Sequence, residues 1–283
     1  MITVQGGHDN WYTLHFDNES ASAGNFEMSF ESGLARPMSW TDAADYTAQQ
    51  IAKKYDNLYL ALSGGLDSEF VADVLWRNKI KFTPVIVCLP HSADHHYAIK
   101  WCRDRGIEPQ VFELEFNDRR LYPEAERLIN ALGFYSNGCV ITSWITNWVQ
   151  QQQGHLITGE PTLGQRYYHR PITEFMDVWW VQLISQLVFP DYDHPAGFMI
   201  YTPEIMLSQA MHLDSSIDDV ESRAKLYDLP YRAKLNPPLD IITDRILHNI
   251  INVGKLRWSG PMTEQGGHGW DRKVLIEKLQ NVQ

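Results

Sequence analysis

Between residues 41 and 160, short apolar runs alternate with segments of helical periodicity, and this alternation narrows the fold more than any other feature of the sequence. The runs Leu58–Leu62, Phe82–Leu89, Pro109–Leu114 and His155–Gly159 are four to eight residues long and rich in Leu, Val and Ile, as strands buried on both faces are. The spacings between them are helical. Ala44, Ala48, Ile51, Ala52 and Tyr55 share one face, and Phe70, Val71, Val74 and Leu75 another. A third helix is predicted from a Ser92 cap to Arg105, ended by Gly106. A fourth carries Ala125, Leu128, Ile129 and Leu132, and a fifth Ile141, Trp144, Ile145, Trp148 and Val149. Strand–helix alternation of this kind predicts an α/β fold: a mostly parallel sheet with helices on both faces and right-handed crossovers.

The flanks read differently. Trp11–Phe16 and Phe26–Phe30 predict an N-terminal β-hairpin with a long polar loop. Thr202-Pro203 predicts a capped helix start, and further helices are expected over 216–227, 239–252 and 271–279, so the end of the chain is a helical region. The segment TEFMDVWWVQLISQLVF is apolar all round and fits either a buried helix or strands; Trp179 and Trp180 within it are assigned to packing. The expected division is an N-terminal hairpin extension over 1–39, a nucleotide-binding domain over 40–200 and a helical C-terminal region over 201–283.

The loop between the first core strand and its helix reads SGGLDS, residues 63–68. Two glycines allow close approach of the backbone to an anion, and the first-turn amides of the following helix point unpaired donors at it. A turn with an Asp or Ser cap would explain one such residue, whereas Ser63, Gly64, Gly65, Asp67 and Ser68 together exceed what a cap needs. The loop lacks the lysine of GxxxxGK[ST]. It resembles the PP-loop of the ATP pyrophosphatase superfamily (adenine nucleotide alpha hydrolase-like), whose signature is SGGxDS between the first strand and first helix. Within that superfamily the leucine, and ITGEPTLGQRYY at 157–168 in the place of the acidic loop after the fourth strand, make the chain most similar to the synthetase domain of asparagine synthetase.

The resemblance implies a Rossmann-like, HUP-type sheet of strand order 3-2-1-4, in which the loops after strands 1 and 4 meet at the switch point where ligands of open α/β sheets bind. It implies ATP and Mg²⁺ as cofactors. Ser63, Gly64, Gly65, Leu66, Asp67 and Ser68 would hold the β- and γ-phosphates, and Val87, Cys88 and Leu89 at the end of the second strand would edge the adenine. Thr158 and Gly159 would face the phosphates. Asp67 and Glu160 would hold the metal, although GEPTLG is shorter than the family's double-acidic loop and Glu160 also reads as a solvated loop acid. Ser63, Asp67, Ser68 and Arg166 are the expected catalytic residues, with Lys234 and Lys255 as further candidate cations.

The implied activity is an AMP-forming ligase that adenylates a small-molecule carboxylate, releases pyrophosphate, and forms an amide with ammonia or an amine. The full asparagine synthetases place a glutaminase domain, with a catalytic Cys after the initiator Met, before this core. Here Ile2 follows Met1 and the loop comes early, so the synthetase half alone is expected, with a homo-oligomer or a separate amidotransferase partner left open. Two other readings stand beside it: sulfur transfer or nucleobase modification, and nucleotide binding without turnover. The net charge of −11 and the scattered Cys88, Cys102 and Cys139, without a CxxC pair, weigh against nucleic acid and against sulfur chemistry. No spanning apolar run or leader pattern is evident, which predicts a cytoplasmic protein. His91, His95 and His96 lack a third ligand and read as a solvated helix start.

Overall fold

The computed structural model describes residues 2–16, 26–90, 92–132, 137–159, 188–214, 216–217, 219–231 and 272–280. Its centre is a five-stranded, all-parallel sheet of β4 (Leu58–Ala61), β5 (Phe82–Cys88), β6 (Gln110–Glu113), β7 (His155–Thr158) and β8 (Ala196–Gly197), in the order β6-β5-β4-β7-β8. The first four strands reproduce the expected 3-2-1-4 order. β8 adds a two-residue fifth strand through Ile157↔Ala196 and Thr158↔Gly197.

Side-chain alternation divides the core into two layers. Leu58, Leu60, Ile86 and Ile157 point to one face, against α1 (Trp40–Lys54), α2 (Leu66–Arg77) and α3 (His95–Arg105). Tyr59, Val85, Val87 and Leu156 point to the other, where the Ile145 and Val149 side chains of α5 (Asn137–Gln151) cover them. The helix start signals act locally. Ser39 Oγ accepts from Asp42 N at the start of α1, and Lys53 and Lys54 sit in its last turn, where they complement the helix dipole. α3 begins at His95, not at Ser92: its N-cap is Asp94, whose side chain makes no capping bond, while Gly106 closes it in the left-handed conformation.

α4 (Tyr122–Leu132) is fastened to α5 by one buried carboxylate. Glu124 accepts from Ser143 Oγ and from Asn147 Nδ2, both at 2.8 Å, with Arg127 at 3.4 Å. Glu124→Ala would leave the buried Ser143 hydroxyl and the half-buried Asn147 amide without their acceptor, and urea unfolding of that variant is expected to show a loss of about 2–3 kcal/mol. Glu124→Gln, which keeps one acceptor, should lose less.

The N-terminal region is a three-stranded antiparallel sheet of β1 (Ile2–Gly6), β2 (Tyr12–Phe16) and β3 (Phe26–Phe30), so the expected hairpin gains a preceding strand. It docks onto the second half of the chain: His8 N donates to Tyr201 O at 2.6 Å and Trp11 Nε1 to Ile200 O at 3.1 Å. Among the described residues three further helices follow, α6 (Pro203–His212), α7 (Asp219–Tyr227) and α8 (Arg272–Gln280). Thr202 caps α6 with Pro203 at its first turn, as its sequence predicts. The expected helix over 239–252 and most of the apolar segment over 173–189 lie outside the described residues. Among the described residues no helix is long and apolar enough to cross a membrane.

Candidate nucleotide site

The SGGLDS loop leaves the carboxyl end of β4, where Leu62 N still donates to Val85 O at 2.9 Å, and turns into α2. Two hydroxyls hold the turn. Ser68 Oγ donates to Gly65 O at 3.0 Å and accepts from Ser63 N at 3.2 Å; Ser63 Oγ lies 3.1 Å from it and accepts from Gly65 N at 3.3 Å. Gly64 has φ +87°, and a Cβ there would overlap the carbonyl oxygen of Asp94, so the loop is seated against the start of α3. α2 begins at Leu66, and its N-cap, Gly65, makes no side-chain capping bond. The first turn therefore lacks a side-chain cap, and Gly65, Asp67 and Ser68 line the cavity beside it.

The loop after β7 closes on the same point. A Cβ on Gly159 would lie 2.6 Å from Ser68 Cα and 2.7 Å from Ser68 N, so the loops after the first and fourth core strands touch backbone to backbone. Between them lies a cavity of about 340 Å³ at the carboxyl ends of β4, β5 and β7. Its polar part is lined by Ser63, Gly65, Asp67, Ser68, Ser92, Asp94, His95 and Thr158, with Gly159 beside them; its apolar part by Ala61, Val85, Val87, Leu89, Ile141 and Ile145. Within the first two turns of α5, Gly138, Ile141 and Thr142 complete the wall. Sequence reading missed this wall, because Ile141 and Ile145 read as one more core-facing stripe.

The expected site residues thus divide. Ser63, Gly65, Asp67, Ser68, Val87, Leu89, Thr158 and Gly159 line one cavity, and Gly64 shapes its loop. Leu66 is instead buried in the core layer of α1 and α2. Cys88 is not part of the lining: on β5 it alternates with Val87 and Leu89, packs on the α1–α3 side and lines a separate groove with Glu113, where burial and that carboxylate push its thiol up. Glu160 and Arg166, like Lys234, Lys255 and His91, lie outside the described residues. His96 is exposed as expected, but His95 is half-buried and lines the cavity. Burial and the neighbouring His96 hold its imidazole below the ordinary value, which keeps it neutral at pH 7.

Asp67 has partners that its sequence surroundings do not suggest. Arg223 Nη1 donates to its Oδ2 at 2.5 Å and the Tyr227 hydroxyl donates to its Oδ1 at 2.9 Å, both from α7. Tyr227 is buried, stacked on Phe70 at 4.5 Å and Trp40 at 5.6 Å between centroids, and burial with Asp67 beside it drives its phenol well above the usual range, so it stays a donor. For Mg²⁺ the described residues are a poor fit. Both oxygens of Asp67 are taken by a cation and a phenol, and among the described residues no three ligating side chains cluster.

No family model matches the sequence, and no curated protein matches it either. Among solved structures the chain is similar to an NMN synthetase from Francisella tularensis, at 14% identity over 79% of this chain and 99% of that one, with a TM-score of 0.35. It is also similar to an NH3-dependent NAD synthetase from Campylobacter jejuni, at 16% identity over 44% of this chain, with a TM-score of 0.32; the match spans 58% of that chain.

Proposed function

We propose that the cavity binds ATP and that the chain is a PP-loop enzyme that activates a carboxylate by adenylation for amide formation. The observation that carries this reading is the position of SGGLDS: an uncapped helix start at the switch point of a 3-2-1-4 sheet, with Gly159 pressed against it. The apolar slot between Val87, Leu89 and Ile141 suits a base, and the serine and amide donors of residues 63–68 suit phosphates.

In this reading the substrate carboxylate attacks the α-phosphorus, the bond to the β-phosphate oxygen breaks and pyrophosphate leaves. The loop amides and the Ser63 and Ser68 hydroxyls stabilise the charge that develops on it. Ammonia or an amine then attacks the acyl carbon and AMP departs with the electron pair. Sulfur transfer is disfavoured by a specific placement. Cys102 and Cys139 are buried, and no cysteine lines the cavity among the described residues.

Incubation with ATP and a panel of small carboxylic acids in the presence of ammonia is expected to yield AMP and pyrophosphate in equal amounts, followed by chromatography of the labelled nucleotide. Formation of ADP and phosphate would refute the adenylating reading, and tight ATP binding with no product from any acid would favour nucleotide binding without turnover.

A further inference from the structure

Two carboxylates, Asp67 and Asp94, line the polar part of the cavity, and no lysine or arginine does so among the described residues. A polyphosphate entering there meets like charge. Among the described residues, Arg223 is a cation brought against the loop: its side chain is only 11% exposed and it pairs with Asp67.

We infer that Arg223 and Asp67 form a charge-exchange latch over the SGGLDS loop, in which an entering polyphosphate competes with Asp67 for the guanidinium and takes it over. This rests on the nucleotide reading of the cavity and adds to it the residue that meets the phosphate charge. The geometry of α7 favours such an exchange. Arg223 and Tyr227 are four residues apart, so both project from one helix face onto the same carboxylate. Tyr227 is fixed by its stack on Phe70 and Trp40 and keeps its bond to Asp67 Oδ1 when Arg223 leaves Oδ2. Asp67 also lies in the first turn of α2, where the helix dipole favours a negative charge without a cation beside it. The guanidinium carries five donors in a planar fork, a shape that matches phosphate as well as carboxylate. Asp67 therefore acts against phosphate binding in the absence of metal, opposite in sign to a carboxylate that recruits phosphate.

The test is calorimetric binding of inorganic pyrophosphate, ATP and adenosine to the full chain in EDTA. Asp67→Asn is expected to bind pyrophosphate about five- to tenfold more tightly than the parent chain, and Arg223→Gln at least about tenfold more weakly, with adenosine affinity unchanged in both. The gain from Asp67→Asn should shrink in the Arg223→Gln background, since the competition it relieves is gone. Arg223→Lys, which keeps the charge without the planar fork, should recover part of the pyrophosphate affinity lost in Arg223→Gln, which a variant that fails to fold would not. Weaker pyrophosphate binding by Asp67→Asn, or an equal gain in both backgrounds, would overturn the latch. So would equal loss of adenosine and pyrophosphate in Arg223→Gln, which marks a purely structural contact. A parent chain that binds ATP while Arg223→Gln binds it equally well removes the latch alone. A parent chain that binds neither ATP nor adenosine removes the nucleotide reading and the latch with it.

Discussion

Replacing Gly159 with alanine is expected to weaken ATP binding by about a hundredfold, because the new methyl must displace backbone and not a side chain. Its Cβ would lie 2.6 Å from Ser68 Cα, 2.7 Å from Ser68 N and 2.9 Å from the carbonyl carbon of Asp67. None of these atoms can rotate away. Either the loop after β7 or the first turn of α2 has to withdraw, and both form the polar wall of the cavity. Gly64→Ala should be worse still, since its methyl meets the Asp94 carbonyl and its backbone sits at φ +87°. Gly65→Ala is the internal control for stability: its nearest neighbour would be Ser63 Oγ at 3.5 Å, an ordinary contact. Urea unfolding should place Gly65→Ala within about 1 kcal/mol of the parent and Gly64→Ala about 2–3 kcal/mol below it. If Gly159→Ala binds ATP with parental affinity, the loop pair does not form the phosphate site.

Those glycines were legible as a motif before any coordinates, and the reason is physical. A buried parallel strand needs a continuous apolar run and a phosphate loop needs glycine at fixed offsets from the helix start, so LYLAL followed by SGGLDS carries its geometry locally. The alternation of strands and helices predicts a parallel sheet, while its 3-2-1-4 order comes only with the resemblance that the loop carries. β1 and β8 carry no such local signal. ITVQG is a mostly polar alternation at the chain end, and Ala196-Gly197 is two small residues whose strand character comes entirely from pairing with β7. Strand alternation alone separates Cys88 from Val87 and Leu89.

The partners of Asp67 were beyond reach for a different reason. Arg223 and Tyr227 lie 156 and 160 residues downstream, in a helix whose sequence, DVESRAKLY, shows a core-facing stripe of Val220, Ala224 and Tyr227 and no sign of a carboxylate partner. Nothing local marks one arginine of that helix as the cation of the loop. The metal role expected for Asp67 was inferred from motif alone, and α7 occupies the very oxygens it required. Non-local charge pairing is thus where a local motif is least informative in this chain.

Acidification between pH 6.5 and 4 is expected to cost about 3 kcal/mol of stability through one histidine. His194 stands just before β8, buried, its ring stacked on Tyr192 at 4.4 Å and its Nδ1 hydrogen bonded to Leu156 O at 3.1 Å. That carbonyl requires the proton on Nδ1, so a second proton would have to go onto a buried Nε2. Burial accordingly pushes the imidazole down to about 4 from an ordinary 6.5. The sign follows. Below pH 6.5 the unfolded chain takes up a proton that the folded chain refuses until about pH 4, so stability is full above that window and falls as pH drops through it. The lowered carboxyl groups of Asp118 and Asp193 release their contribution below the ordinary value of 3.8, whereas Glu204, whose carboxyl burial raises, takes its proton in the folded chain first and offsets part of the cost within the window. His194→Asn keeps a donor for Leu156 O but cannot titrate. Urea unfolding across the window should find it less stable than the parent at pH 7.5, from the lost stacking, with a pH slope shallower by about 1.4 kcal/mol per pH unit. An unchanged slope would assign the acid sensitivity elsewhere, with His95 the next group to replace, since its imidazole is lowered in the same direction and borders the nucleotide cavity.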